Sequence, residues 1–481
     1  MLRSNRLFPL PRRWLLWAAA GLLLCLLFIC FPRPVDDDTS DYLELGHNLL
    51  HHGIYGLGSG ADISPTLYRL PGYPIFLAFF ELVFARIWPG VWMNAVFVVQ
   101  AILSVTGCLL LACFARRHLS GLAAEVALAL AVLCPFTAVY AGIAMAESLS
   151  IFAVALGIYA AARALAAQQA GECDLLALVC AGCASSLAML LRPDGAILCI
   201  VLAAGLFGYT LRARFGIEGL RPALRRALAA TALFCLVALL PQSVWTLRNW
   251  NQFHAFQPLA PRYINDPGTR YNAGLDRWYR TWTVEYVNTA NVVWNMGSDR
   301  IDLADLPPRV FDSPWQRQQT LDLIADYNRT YSVCAELDAR FAALATDRVR
   351  AHPFRYYVTL PLLRVADMLL RPRTEAFYLD VFWWRWSEHP GQTSWAILLG
   401  LINLGYVAAA AWAFLRGRVP WAWMLGGYLV LRFLLLATME NPEPRYTLEC
   451  FPIFIVAAAA ALTSRHEVRE KPLLAQAEHA S

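Results

Sequence analysis

An acidic cluster and a basic, aromatic segment lie in one polar stretch that follows the first apolar run of the chain. The acidic residues are Asp36, Asp37 and Asp38, and the basic segment is residues 68–74, YRLPGYP, about thirty positions later. Ionised carboxylates lose hydration beside lipid, so we expect these to line a wet cavity. A carboxylate and a guanidinium available together beside a bilayer are the groups expected of an enzyme that acts on a lipid-borne phosphate.

Asp38 is the first candidate for acid–base chemistry. Transfer of a group from a phosphate carrier to a hydroxyl or amine needs a carboxylate that accepts the proton of the attacking group. Asp36, Asp37 and Asp41 lie close enough in sequence to serve instead. The structural alternative is an N-cap cluster, since these acids precede a predicted helix at 42–51 and acids stabilise a helix N-terminus.

Four more charged residues lie at the edges of apolar segments, namely Arg69, Glu147, Arg192 and Arg248. A guanidinium fits a phosphate in bidentate fashion, so each arginine could hold phosphate oxygens. The alternative is that each arginine marks a membrane boundary or snorkels to lipid headgroups. Glu147 opens an apolar run, where a carboxylate indicates function. It could hold a metal or an acceptor amine, or could simply cap its helix.

His47 and His51 lie one helical turn apart in the predicted helix at 42–51. That spacing can bind a metal ion, but no flanking motif supports a metal site. The simpler interpretation is a solvated polar face.

Composition places the chain among multi-pass membrane proteins. It is 58% hydrophobic and 16% charged, with a positive mean hydropathy, whereas soluble domains are about 25% charged. Lys471 is the only lysine, and the arginines lie beside apolar segments without forming a basic domain. A nucleic-acid partner is therefore not expected, and membrane lipids are.

Ten apolar segments could span a membrane, which takes about 20 residues each. They are residues 14–31, 91–114, 122–141, 147–165, 175–191, 195–211, 227–245, 394–415, 419–438 and 446–463. Arginine concentrates on the cytoplasmic side of membranes. Ten crossings place the N-terminus and every arginine-rich loop on that side. The polar candidates then share the opposite face, which predicts a single extracytoplasmic site.

Residues 72–88 form an ambiguous apolar segment. A full crossing here would reverse the orientation of the later spans, so we interpret it as an interfacial or re-entrant helix. In the alternative, 72–88 crosses and one of the two short spans around Arg192 does not, which leaves residues 116–117 outside. The predicted regions are an N-terminus and first span (1–31), a first extracytoplasmic loop (32–90), a bundle (91–247), an extracytoplasmic helical insert (248–393), C-terminal spans (394–463) and a cytoplasmic tail (464–481).

The insert is too polar to span the membrane and contains helix signals. Ser313-Pro314 predicts a helix that starts with an N-cap and a proline at its first position and runs to about Tyr331. Residues 336–351 are a second amphipathic candidate, and 353–370 read as a helix at the membrane interface. An aromatic group could stack on sugar rings or form an aromatic belt or a small core; it consists of Trp278, Tyr279, Trp282 and Tyr286.

Taken in order, these residues resemble the GT-C glycosyltransferases of the protein O-mannosyltransferase and aminoarabinose lipid A transferase type, often grouped as glycosyltransferase 39-like. That family carries an acid in its first extracytoplasmic loop, a tyrosine four positions later and a glycine about eleven further on. Asp38, Tyr42 and Gly53 match these three positions. The family's basic-proline segment matches residues 69–74.

The later motifs of the family also have counterparts. Its second acid, which opens a span after an alanine-rich turn, matches Glu147, and its basic residue before a proline or glycine matches Arg192. The family's Trp-x-x-Arg-Asn matches residues 245–249, and its closing Arg-Tyr matches Arg445-Tyr446. The resemblance covers the first 250 residues well and the last span acceptably.

The resemblance implies an all-α polytopic protein with a GT-C-like bundle of about 10–11 transmembrane helices and a mostly helical extracytoplasmic insert. It also implies a polyprenyl-phosphate-linked sugar donor and an inverting transfer on the outer face of the membrane. The acceptor could be a glycolipid, lipid A, a polysaccharide or a protein. The implied location is the bacterial inner membrane with the active site facing the periplasm, in a role in the cell envelope such as lipopolysaccharide modification.

In the implied mechanism Asp38, or Asp37 if the register slips, takes the proton of the acceptor. The leaving polyprenyl phosphate would be stabilised by arginines, here Arg69 with help from Arg192, Arg248 or Arg445. Glu147 would orient the acceptor or a cation, and a divalent cation is the one candidate cofactor. Substrate contacts are assigned to Tyr42, Tyr68, Tyr73, Asn249 and Tyr446.

Two departures from the family pattern leave alternatives open. Asp38-Thr39 stands where the family often has Asp-Glu, and Tyr68-Arg69-Leu70-Pro71 stands where the aminoarabinose enzymes have acid-Lys-Pro. Within enzymes, the rival is a polymerase or ligase of lipid-linked glycans. The rival from another class is a transporter or flippase of an anionic lipid-linked substrate, although such proteins often have two related halves that this sequence lacks.

Overall fold

The computed structural model describes residues 11–31, 37–263 and 265–463 of the chain. For Asp37 only the backbone is described. Predictions for Asp36, for Arg3 and Arg6 and for the tail after residue 463 lie outside these residues.

Eighteen α-helices form nearly all of the regular structure of these residues. They are α1 (Arg12–Cys30), α2 (Asp37–His52), α3 (Gly72–Phe84), α4 (Trp92–His118), α5 (Gly121–Val132), α6 (Pro135–Ala138), α7 (Glu147–Ala170), α8 (Leu175–Leu191), α9 (Ala196–Glu218), α10 (Leu220–Phe253), α11 (Ala273–Tyr279), α12 (Tyr286–Asn288), α13 (Pro314–Thr330), α14 (Ala335–Ala351), α15 (Leu360–Leu370), α16 (Pro390–Leu415), α17 (Ala422–Leu436) and α18 (Phe451–Thr463). Two short strands, β1 (Gly56–Leu57) and β2 (Ser64–Pro65), pair antiparallel in the loop after α2.

Seven helical segments of the described residues are long and apolar enough to cross a membrane. They are Arg12–Cys30, Trp92–His118, Glu147–Ala170, Pro193–Glu218, Leu220–Phe253, Pro390–Leu415 and Pro444–Thr463. Two more predicted spans are the shorter apolar helices α8 and α17, with 17 and 15 residues. The prediction of an all-α polytopic membrane protein is confirmed.

The predicted span at 122–141 is not one straight helix. It consists of Gly121–Val132 and Pro135–Gly142, which are bent by 50°. Pro135 has no backbone N–H and clashes with a continuing helix before it, which explains the break. Helix α3 has 13 residues and measures about 20 Å, less than the roughly 30 Å of a bilayer core. Its interfacial position stays a prediction.

The chain divides into two compact units. Unit 1 contains the described residues of Met1–Pro267, Ala408–Tyr428 and Glu449–Ser481, and unit 2 contains those of Gly268–Val407 and Leu429–Leu448. In unit 2, the predicted helices at 314–331 and 336–351 are confirmed as α13 and α14. The Ser313 hydroxyl accepts a hydrogen bond from the Gln316 N–H at 3.2 Å, as expected of an N-cap.

The aromatic group of the insert forms a core. Trp278 and Trp282 are fully buried, and Tyr279 is 2% exposed. They pack with Phe341 of α14 and Tyr327 of α13 in one apolar cluster. Of the interpretations of this group, the small-domain core is therefore correct for these three side chains, which are too enclosed to stack on a sugar.

Replacement of Trp282 by Ala should destabilise the protein by about 3–5 kcal/mol, because a large buried ring leaves a cavity that its neighbours cannot fill. The midpoint of thermal unfolding of the detergent-solubilised chain measures this change. Trp315→Ala is the control, since Trp315 is 58% exposed, and it should leave the midpoint nearly unchanged. An equally stable Trp282→Ala protein would contradict the core assignment.

Candidate functional site

Asp38 and Asp41 lie together on the first turns of α2. This helix begins at Asp37 rather than at residue 42, so these acids belong to the helix and do not precede it. Their spacing of three positions puts both on one face, and acids in a first turn are favoured by the helix dipole. Both carboxylates accept hydrogen bonds from the same guanidinium nitrogen, Arg69 Nη2, with 2.9 Å to Asp41 Oδ2.

Arg69 is mostly buried against aromatic rings. Its guanidinium carbon lies 4.6 Å from the centre of the Tyr68 ring and 5.6 Å from that of Tyr42. Burial lowers the pKa of Arg69, but the neighbouring Asp38, Tyr42 and Asp41 raise it more, so the pKa ends above its ordinary value. Arg69 is thus a permanent cation, and its buried Nε has no hydrogen-bond partner among the described residues.

A second charged group lies where α7 begins and α8 ends. Arg192 Nη1 donates to Glu147 Oε1 at 3.0 Å, and Arg192 Nε lies 3.3 Å from Asp194 Oδ1 and 3.3 Å from Glu449 Oε1. Glu147 is 2% exposed and Glu449 is 1% exposed. Ser150 donates a further hydrogen bond to Glu449 at 3.1 Å. Arg192, predicted to hold phosphate, therefore already contacts three carboxylates.

Tyr42 connects the two charged groups. The charges of Arg69, Asp38, Glu147 and Arg192 all act on its phenol, while burial raises the pKa of Tyr42 to about 12. The phenol therefore stays protonated and can donate a hydrogen bond at neutral pH. The predicted acids Asp38 and Glu147 are thus brought to one region of unit 1, around a neutral tyrosine.

Backbone contacts bring these helix ends together. The Thr39 hydroxyl donates to the Ala144 carbonyl at 3.2 Å, which ties the start of α2 to the turn before α7. A Cβ on Gly72 would lie 2.7 Å from the Leu190 carbonyl oxygen. Only glycine therefore lets the start of α3 approach the end of α8 so closely.

Tyr73 positions the site without facing it. Its side chain is fully buried, and its hydroxyl donates to Gln100 Oε1 at 2.7 Å. Gln100 in turn donates to the carbonyls of the turn before α7, including Ile143 at 2.9 Å. The Tyr73 ring also packs edge-on against Tyr42, with 5.1 Å between ring centres. This geometry favours a structural role over the predicted substrate contact.

Arg248 holds the first loop, and Asn249 holds the segment that follows α10. Helix α10 runs on to Phe253, so these residues lie inside a helix rather than after it. Arg248 donates to the carbonyls of Tyr55 and Thr66, at 2.7 and 3.0 Å. Asn249 is fully buried and donates to the Gln257 carbonyl at 2.7 Å. These contacts with backbone carbonyls favour a structural role for both residues over direct phosphate or substrate binding.

Arg445 and Tyr446 belong to unit 2. Arg445 Nε lies 2.5 Å from Glu443 Oε2, and the Tyr446 hydroxyl donates to Glu443 Oε1 at 2.5 Å. The buried Arg432 donates to the Tyr446 carbonyl at 2.7 Å. The closing Arg445-Tyr446 pair is thus bonded to the neighbouring Glu443.

The proposed acids of this site do not belong to a three-residue ligand group for the implied divalent cation. Among the described residues, no group of three ligating atoms close enough for one ion includes Asp38 or Glu147. One oxygen of Glu147 accepts a hydrogen bond from Arg192, which also contacts Asp194 and Glu449. We therefore derive no step through a metal here.

Sequence reasoning missed two acids of the site, Asp194 and Glu449. Asp194 follows Arg192 and Pro193 in a tight turn. Glu449 had a usable signal, because an acid at the edge of an apolar run indicates function. Its partner Arg192 is far away in sequence, so the pairing itself carries no sequence signal.

No family model and no curated protein matches this chain. Solved structures do. The apo oligosaccharyltransferase of Archaeoglobus fulgidus matches at 14% identity and a TM-score of 0.51, over 97% of this chain and 52% of that chain. The same enzyme, tethered with an acceptor peptide containing the NVT sequon, matches at 14% identity and a TM-score of 0.51. That match covers 94% of this chain and 49% of that chain.

ArnT from Cupriavidus metallidurans, bound to undecaprenyl phosphate, matches at 14% identity and a TM-score of 0.38, over 93% of this chain and 76% of that chain. The chain spans about half the length of the archaeal enzyme. At such identities a likeness concerns the fold alone. The match to the archaeal enzyme shows that the chain has the GT-C fold, which the order of its sequence motifs predicts.

Proposed function

We propose that the protein is an integral membrane glycosyltransferase that moves a sugar from a polyprenyl-phosphate donor to an acceptor on the outer face of a membrane. The observation that carries the proposal is the pairing of Asp38 with Arg69 beside Tyr42 and Glu147. A carboxylate for the acceptor proton and a permanent cation for a phosphate are thereby adjacent. The GT-C fold supports this function at the level of analogy.

In the proposed reaction, a hydroxyl or amine of the acceptor attacks the anomeric carbon and gives its proton to Asp38. The bond from that carbon to the phosphate oxygen breaks, and its electron pair leaves with the polyprenyl phosphate. Arg69 Nη2 is occupied by Asp38 and Asp41. The N–H groups on Nη1 are the ones that would stabilise the leaving phosphate, since Nε is buried.

Replacement of Arg69 by Gln should raise the dissociation constant for undecaprenyl phosphate by about 10–100-fold. A hydrogen bond to a charged group contributes about 1.5–3 kcal/mol, and each 1.4 kcal/mol is tenfold. Binding to the detergent-solubilised chain measures the effect. Arg86→Gln removes a charge from an exposed position just after α3 and is the matched control. Equal loss in both variants would mean that general charge, and not the site, attracts the phosphate.

The transporter alternative makes a different prediction in cells. A transferase adds one sugar to one acceptor, whereas a flippase alters many products that depend on the same lipid carrier. Mass spectrometry of envelope lipids and glycans from a strain without the gene, and from the complemented strain, distinguishes them. Loss of a single defined sugar supports the transferase. An accumulated lipid-linked precursor with general loss of glycans supports transport, and an unchanged profile counts against sugar transfer.

The bacterial inner membrane, the periplasmic face and a role in lipopolysaccharide modification belong to the same proposal. They rest on the arginine distribution of the loops and on the resemblance to the aminoarabinose enzymes. The same mass-spectrometric comparison tests them, since a sugar lost from lipid A identifies both acceptor and compartment.

A further inference from the structure

We propose that His47 and His51 of α2 and Glu81 of α3 bind a divalent transition-metal ion of the zinc class. His47 Nδ1 lies 2.8 Å from Glu81 Oε1, and His51 Nε2 lies 3.1 Å from the same oxygen. One ligand atom from each of the three residues lies within 4.8 Å of the other two. The proposal is independent of the proposed transferase function.

The chemistry of the ligand set fits zinc. Zinc prefers imidazole nitrogens and carboxylate oxygens at about 2.0–2.2 Å, so its tetrahedral ligands lie about 3.4 Å from one another. The two nitrogen–oxygen distances are slightly shorter than this. Side-chain movements that lengthen these two distances to about 3.4 Å would admit the ion, with water as the fourth ligand. The half-exposed imidazoles, at 54% and 49% exposure, give it a path from solvent.

Glu81 provides an independent reason to expect a cation at this place. It is the only charged residue of the apolar helix α3, and its side chain is 14% exposed. An ionised carboxylate in such surroundings is costly unless a cation compensates it. The two histidines are the residues whose side chains meet its Oε1 atom. A bound divalent ion would supply such a cation.

The backbone holds the two helices at the separation that the site needs. A Cβ on Gly46 would lie 2.8 Å from the Pro74 carbonyl oxygen, so glycine here permits close contact between α2 and α3. His47 follows Gly46 directly, and His51 lies one turn later on the same face. The ion would therefore fasten α2, which carries Asp38, onto α3.

The ion would not take part in the chemistry at Asp38. Nine positions of helix between Asp38 and His47 correspond to about 14 Å. Its role would be structural: it would hold the helix that carries the proposed base. Zinc should therefore raise the thermal unfolding midpoint of the chain, since a ligand that binds only the folded state stabilises it.

The test is the zinc content of the purified full-length chain, produced with an affinity tag that has no histidines. The protein is treated with a chelator, equilibrated with zinc and measured by mass spectrometry of the metal. We expect one zinc per chain. Glu81→Gln and the double variant His47→Gln/His51→Gln should lose it, and with it the rise in unfolding midpoint. A cobalt-substituted sample should show the absorption of a tetrahedral site.

His52→Gln is the matched control, because His52 is exposed on the same turn of α2 but lies outside the group. It should keep the zinc, and so should Asp38→Asn. Size-exclusion profiles that match the wild type ensure that a loss of zinc is not a loss of fold. The proposal is wrong if the wild type takes up no zinc, if Glu81→Gln retains it, or if His52→Gln lowers it as much as the double variant does.

Discussion

Replacement of Asp38 by Asn should lower the proposed sugar transfer by about 10²–10⁴-fold, the usual effect of removing a positioned general base. Asn keeps the shape of the side chain and an oxygen that can accept from Arg69 Nη2, but it cannot take a proton. Arg69 Nη2 keeps its hydrogen bond to Asp41 in this variant, so the guanidinium retains a carboxylate partner and the loss of stability should be small. The measurement is restoration of the missing sugar in a deletion strain, at matched protein levels.

Asp41→Asn is the informative control for this variant. Asp41 is bonded to the same Arg69 nitrogen and is similarly buried, so its replacement changes the electrostatics of the guanidinium in the same way. We expect it to lose less than tenfold in activity. Asp37→Asn and Asp36→Asn test the register that the sequence left open. Full activity of Asp38→Asn, with loss in one of the others, would move the proposed base to that residue.

Replacement of Arg192 by Met should destabilise the protein by about 3–5 kcal/mol, because removal of one partner leaves buried charges uncompensated. Arg192 contacts Glu147 and Glu449, which are nearly inaccessible to solvent. Met fills a similar volume without a charge. The effect should appear as a lower unfolding midpoint and a lower yield of monodisperse protein, together with lost activity, since Glu147 lies beside Tyr42.

A surface ion pair supplies the comparison for Arg192. Arg226 Nε lies 3.0 Å from Glu218 Oε2 but is 48% exposed, and exposed pairs contribute about 0–1 kcal/mol. The Arg226→Met variant should therefore have the same unfolding midpoint as the wild type. Combining Arg192→Met with Glu147→Gln should recover part of the lost stability, because the substitution removes one of the uncompensated charges. Wild-type stability of Arg192→Met alone would mean that this group does not hold the site together.

Local signals predicted much of the architecture. Apolar runs of span length became helices, because helix formation and burial in lipid depend on consecutive residues. Ser313-Pro314 starts α13, as predicted. Each depends on a few neighbouring residues, and such dependence is visible in a sequence. Boundaries were less certain: α2 starts earlier than predicted and α10 ends later, because neighbouring side chains extend a helix beyond its apolar part.

For the site, the sequence by itself determined which residue types were available: acids, an arginine and tyrosines at the edges of apolar runs. Only the tertiary structure decided their roles. In the folded chain Arg69 contacts Asp38 and Asp41, and carboxylates surround Arg192. The Trp282 ring lies in the core of the insert. The tertiary structure also brings Glu81 to His47 and His51. These outcomes depend on close contacts between segments that are far apart in the chain. Sequence spacing contains no information on such contacts, because packing and charge compensation are set by which helices meet.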